Sequence, residues 1–138
     1  MKARSEAQRR YLKRTLAVTA LYLATVAAAS FLIDRDAPVT ALTIVLAVLP
    51  GLAIMGIFWS IARLMVEEQD EFIRMLIVRQ SLIATGLALS VASVWGFLEA
   101  YGVAPHIDSY WVAVLWFFGL GVGAVTNKVQ YGAAGECW

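Results

Sequence analysis

The chain has 138 residues, of which 61% are hydrophobic and 15% are charged. An average soluble domain has roughly 45–50% apolar and about 25% charged residues, so this composition argues against an ordinary soluble domain. The formal net charge is +1, which gives no reason to expect a nucleic acid or an acidic protein as partner. The length predicts a single domain.

The apolar residues fall into four blocks, each near the roughly 20 residues that a helix needs to cross a bilayer. The predicted spans are residues 15–33, 40–63, 81–98 and 110–126. The connections are short, which favours antiparallel neighbours. The sequence therefore predicts an all-α integral membrane protein, an antiparallel four-helix bundle over residues 15–126. A basic N-terminal segment at residues 1–14 precedes it and a short tail at residues 127–138 follows it.

Basic residues are distributed unevenly between the connections. They concentrate before the first span and in the second connection, and Lys128 follows the fourth span. The first connection has only Arg35, and the third has no Lys or Arg. The positive-inside rule then predicts that both termini and the second connection are cytosolic. Ala27, Ala28 and Ala29 resemble a signal-peptide cleavage site, but the long apolar run favours a retained first span.

The segment Arg63–Gln80 is the longest charged interruption, and it contains neither glycine nor proline. Helices two and three, at roughly 1.5 Å per residue, exceed the membrane core of about 30 Å. We therefore expect them to be the longest helices and to project as a cytosolic hairpin. Asp70 is the predicted N-cap of helix three, and the spacing lets Asp70 and Glu71 meet Arg74 on one face.

These hairpin charges form a predicted cluster with a structural or an interaction role. Its members are Arg63, Glu67, Glu68, Asp70, Glu71 and Arg74. A divalent-cation site built from its four carboxylates is the competing interpretation. Calcium takes about six to eight oxygen ligands from a flexible loop, whereas carboxylates around a tight turn diverge, so the structural interpretation is favoured.

Small residues predict two faces on which helices approach closely. Ala20, Ala24 and Ala28 form one stripe in the first span, and Gly119 and Gly123 form a G-x-x-x-G pair in the fourth. These faces are more numerous than one small bundle needs, which predicts a homodimer. The alternative is that all of them pack within one chain.

Several kinds of chemistry lack the residues they need. His106 is the only histidine, so a bis-histidine haem anchor cannot form, and Cys137 lies on the opposite predicted side from it, which excludes a zinc cluster. Neither a Walker motif nor a Ser-His-Asp arrangement is present. We expect no catalysis, no cofactor and no metal. Glu99, near the outer interface, is the candidate polar site.

Five short patterns occur along the chain: Tyr11-Leu12-x-Arg14, Leu49-Pro50, Asp70-Glu71-x-x-Arg74, Gly96-Phe97-Leu98-Glu99 and Tyr110-Trp111. In this order, over residues 11–131, the chain resembles an uncharacterised family of small four-span bacterial inner-membrane proteins. The tail departs from that family, whose C-terminus is more basic. The resemblance implies the bacterial inner (cytoplasmic) membrane and the four-span architecture, and it implies no activity.

The sequence leaves two functional hypotheses. The first is a non-catalytic interaction or accessory module that contacts a second copy or a larger membrane protein through its cytosolic hairpin, with the lipid bilayer as its surroundings. The alternative is a transporter of a small solute or cation that uses Glu99. Spans one, two and four contain no acidic residue, and an intramembrane acid is the usual mark of a proton relay, so the first hypothesis is favoured.

Overall fold

The computed structural model describes residues 5–34 and 36–135. Over these residues the chain forms four α-helices: α1 (Glu6–Leu32), α2 (Ala41–Glu67), α3 (Glu71–Ala100) and α4 (Tyr110–Tyr131). All four are long and apolar enough to cross a membrane, which suggests a multi-pass membrane protein. The predicted all-α class with four candidate spans is confirmed. Arg35 of the first connection and Cys137 of the tail lie outside the described residues.

Side chains satisfy the free N–H groups at three of the helix starts. Ser5 and Gln8 form a capping box at α1, in which each side chain accepts a hydrogen bond from the other residue's backbone N–H at 3.2 Å. Thr40 accepts from the Thr43 N–H at α2. Asp70 caps α3, as predicted. Such caps stabilise a helix by about 1 kcal/mol each.

The helix lengths differ from the expectation in one respect. α3 is the longest with 30 residues, but α1 and α2 have 27 residues each, so the prediction that α2 is longer than α1 is wrong. The reason is local. The capping box starts α1 within the basic segment, and nothing between Glu6 and the apolar run breaks the helix. At the other end of the chain, α4 extends into the predicted tail and stops at Gly132, which adopts a left-handed conformation with φ of 69°.

The chain divides into two compact units, residues 1–68 and 69–138. The first unit is an antiparallel hairpin of α1 and α2, in which Gly56 lies against Val18. The second is an antiparallel hairpin of α3 and α4, with Gly119 against Ala84 and Gly123 against Gln80. Small residues thus let the two helices approach closely within each hairpin.

Candidate functional site

Glu67, at the last residue of α2, is the centre of an ion-pair cluster in the first unit. Arg14 of α1 donates from both terminal nitrogens to the two oxygens of Glu67, at 3.1 and 3.0 Å. Arg63 lies one turn earlier on α2 and reaches Glu67 Oε1 at 2.8 Å. The Glu67 side chain is only 13% exposed. A two-pronged arginine contact of this kind fixes orientation as well as charge.

The ring of Trp59 also belongs to this cluster, because the Arg14 guanidinium lies 5.5 Å from the centre of that ring. Beside it, Glu68 is buried and accepts a hydrogen bond from the Ser5 hydroxyl at 2.8 Å. The N-terminal end of α1 is therefore held to the C-terminal end of α2 by two acidic residues. Of the predicted cluster, the structure brings Arg63 and Glu67 together.

The remaining members of the predicted cluster begin the second unit. Asp70 Oδ1 accepts from the Phe72 and Ile73 N–H groups at 2.9 and 3.3 Å. Glu71 and Arg74 are both exposed, and the structure joins them by no ion pair, although their spacing allows one. They border a concavity of about 470 Å³ along α3, together with apolar side chains that include Met75, Val78 and Leu82.

Two amide side chains link α3 to α4 inside the second unit. Asn127, which is fully buried, donates to the Leu76 carbonyl at 2.9 Å, and Gln80 donates to the Leu120 carbonyl at 2.9 Å. No described residue forms a hydrogen bond with the Oδ1 atom of Asn127. Nearer the chain end, Arg79 donates to the Tyr131 hydroxyl at 2.7 Å. These contacts set the register of the hairpin.

Glu99 and His106 form a pair at the opposite end of the second unit. Glu99 lies in the last turn of α3 and His106 in the connection to α4, with Glu99 Oε1 and His106 Nδ1 2.5 Å apart. Asp108 Oδ1 lies 3.9 Å from the other ring nitrogen. The Glu99 carboxylate accepts a hydrogen bond from the His106 ring, and this bond together with the negative charge of Glu99 raises the pKa of His106 above its usual range. Trp95 Nε1 donates to the Pro105 carbonyl at 3.2 Å, which ties the same connection to α3.

These residues border a cavity of about 740 Å³ between the end of α3, the connection and the start of α4. Glu99, His106 and Asp108 supply the charged groups of its wall, and Trp95 and Trp111 its aromatic surface. The sequence singled out Glu99 but gave it no partner. The sequence did contain a signal for these partners. His106 and Asp108 lie in the short connection that follows Glu99, and a tight connection brings them back toward the end of α3.

The sequence interpretation missed the role of Arg14, which it placed in the basic N-terminal segment and in the pattern Tyr11-Leu12-x-Arg14 without giving it a partner. A basic start of α1 and an acidic end of α2 belong to the same end of an antiparallel hairpin, so their attraction was predictable in outline. The specific pairing with Glu67 depends on how the helices pack.

Among the described residues, no group of three or more His, Cys, Asp or Glu side chains is arranged to hold a metal ion. The competing divalent-cation site at Glu67, Glu68, Asp70 and Glu71 gains no support from this geometry. The carboxylate of Glu67 instead faces two guanidinium groups.

Comparison with known proteins assigns no relative: no family model, no curated protein and no solved structure matches this chain. The resemblance to small four-span membrane proteins stays a resemblance.

Proposed function

We propose that this protein is a non-catalytic membrane module that contacts a partner through the segment Arg63–Gln80. The observation that carries the proposal is the exposed face of α3 between Glu71 and Leu82. It combines an acid and a base, neither of which forms an ion pair with any described residue, with apolar side chains around a concavity of about 470 Å³. Mixed apolar and charged faces of this kind suit a protein partner, with the charges giving specificity.

The ion pairs at Glu67 support this role from the preceding helix. They hold the end of α2, which forms the first part of the segment, against α1. A partner-binding element that is already rigid loses less conformational entropy on binding.

The proposed setting is the bacterial inner membrane, with both termini and the Arg63–Gln80 segment in the cytosol. The support is the distribution of basic residues, which lie at the start of α1, the end of α2, the start of α3 and the end of α4. In this setting the two helical hairpins assemble into an antiparallel four-helix bundle, and the segment lies at its cytosolic end.

The partner is a second copy of this chain or a larger membrane protein. Ala20 and Ala24 favour the second copy, because both remain exposed on α1 and leave a small-residue stripe for another helix. Gly119 and Gly123 do not support it, since they pack against α3 within their own hairpin.

Photocrosslinking in native membranes tests the proposal. A photoreactive residue at Val78 should give an adduct of twice the chain mass for a second copy, or a heavier adduct for a larger partner. The matched position is Leu42 at the start of α2, which is also exposed and lies outside the Ala20–Ala24 stripe. In an Arg74→Glu background the Val78 adduct should fall several-fold. The variant no longer offers a base to the partner, and it places a second negative charge beside Glu71.

Arg10→Glu is the matched charge change, since Arg10 is exposed at the start of α1. It should leave the Val78 adduct unchanged. Equal crosslinking at Val78 and Leu42, or an Arg74→Glu variant with undiminished crosslinking, would contradict the proposal.

The second candidate function is transport of a small solute or cation with Glu99. The observation that favours it is the cavity beside Glu99 and His106, whose volume of about 740 Å³ lies in the roughly 300–1,000 Å³ range of small-molecule sites. Flux into proteoliposomes that is lost in Glu99→Gln would support transport over the interaction role.

A further inference from the structure

The cavity at the connected end of the α3–α4 hairpin has walls of two different kinds. One wall is apolar and includes Val91, Val112 and Leu115. The other carries Glu99, Asp108 and their neighbours at the end of the hairpin. A ligand that fits both walls has an apolar body and a polar group at one end.

The charges on the wall determine the sign of that polar group. Glu99 and Asp108 are acidic, and among the described residues His106 is the only basic side chain in the wall, with neither lysine nor arginine beside it. The local charge is therefore negative whether or not His106 is protonated. Such a cavity attracts cations and repels anions.

The aromatic residues favour an organic cation over a simple ion. Trp95 and Trp111 both line the cavity, and Trp95 is held in place by its hydrogen bond to the Pro105 carbonyl. Tryptophan binds cations over its ring face more strongly than the other aromatic residues. A metal ion, by contrast, would need several oxygen ligands, and no group that could hold one occurs in the described part of the chain.

We propose that this cavity binds an organic cation with an apolar body, whose positive charge pairs with Glu99 and whose body packs against Trp95 and Trp111. The proposal names a ligand class for the second candidate function. It rests on that function only where the cation is transported. Binding itself is independent of the role of the Arg63–Gln80 segment.

His106 competes with the ligand for Glu99. Its Nδ1 lies 2.5 Å from Glu99 Oε1, and Asp108 is the other charged group within 4 Å of the ring. α4 contributes no charged side chain to the cavity wall. Because Glu99 raises the pKa of His106, the imidazolium persists above the ordinary value of 6.5 and neutralises the carboxylate. Cation affinity should therefore increase as the pH rises through the raised pKa of His106.

Titration calorimetry of the purified full chain in mild detergent tests this binding. The probe is tetraphenylphosphonium, and triphenylphosphine oxide is the neutral probe of similar shape. We expect saturable binding of the cation at pH 9, at least tenfold weaker binding in Glu99→Gln, and no binding of the neutral probe. Glu6→Gln, which removes an exposed carboxylate at the start of α1, should bind like the unaltered protein. Equal affinity in Glu99→Gln, or for the neutral probe, would overturn the proposal.

A second variant keeps the test decisive if Glu99→Gln fails to fold. In His106→Gln the carboxylate has no imidazolium competitor, so binding at pH 6 should become as tight as at pH 9. The unaltered protein should bind several-fold more weakly at pH 6 than at pH 9. A pH dependence that is the same in both proteins would overturn the role of His106 and the proposed position of the cation.

Two sources could supply this cation chemistry, a free solute or the ammonium of a lipid headgroup. Nanodiscs of phosphatidylglycerol, with and without phosphatidylethanolamine, separate them. Weaker tetraphenylphosphonium binding with phosphatidylethanolamine assigns the site to a lipid headgroup, and unchanged binding assigns it to a free solute. Binding without flux in proteoliposomes would contradict transport and leave the site intact.

Discussion

At the scale of single residues, the acidic side chains around the α2–α3 connection have different roles. Glu67 lies in an ion-pair cluster with Arg14 and Arg63, whereas Glu68 accepts a hydrogen bond from Ser5. Asp70 caps a helix, and Glu71 is exposed and forms no ion pair within the described part of the chain. Of these four residues, therefore, only Glu71 can contact a partner without losing a contact that the structure shows.

Replacing Asp70 tests the cap separately from its charge. Asp70→Ala removes the oxygen that accepts from Phe72 and Ile73 and should lower the unfolding free energy by about 1 kcal/mol. Asp70→Asn keeps an accepting oxygen and should cost only a small part of that. Thermal unfolding in detergent measures both. Equal losses in the two variants would show that the charge, and not the cap, stabilises this helix start.

At the scale of helices, close approach in the α3–α4 hairpin depends on two glycines. A Cβ atom at Gly119 would lie 2.6 Å from Ala84 Cα, and one at Gly123 would lie 2.9 Å from Gln80 Cα. Both distances are too short for backbone atoms that cannot move aside. Gly121, between them, has no such neighbour within 4 Å, so the two packed positions face α3 and the third does not.

Alanine at Gly119 or Gly123 should therefore destabilise the hairpin, whereas alanine at Gly121 should not. Gly119→Ala and Gly123→Ala force α4 away from α3 and should each cost about 1–3 kcal/mol, the usual range for overpacking. Gly121→Ala introduces no clash and should be neutral or gain up to about 1 kcal/mol from helix propensity. Unfolding in detergent as a function of denaturant gives all three values. A loss at Gly121 as large as at Gly119 would contradict the packing described here.

At the scale of the whole molecule, the proposed four-span arrangement predicts that both chain ends lie on the same side of a membrane. The connection between α3 and α4, which contains Val103, then lies on the opposite side from Gln69. The asymmetry of basic residues predicts that Gln69 is cytosolic. This sidedness also decides whether the Glu99 cavity opens toward the outside.

Cysteine labelling in intact cells tests this sidedness. In a Cys137→Ser background, Val103→Cys should react with a membrane-impermeant maleimide added outside, because Val103 is 72% exposed. Gln69→Cys, also at an exposed position, should react only after the membrane is permeabilised. The reverse pattern would invert the predicted orientation.

The sequence by itself determined the helix class, the approximate spans and the Asp70 cap. Each depends on composition, run length or spacing within a few residues. The tertiary structure decided which distant groups meet: Arg14 with Glu67, Asn127 with the Leu76 carbonyl, and Gly119 with its own hairpin rather than a second copy. These pairings depend on the rotation and register of packed helices. Small apolar side chains leave both undetermined in the sequence, because many helix faces satisfy the same pattern.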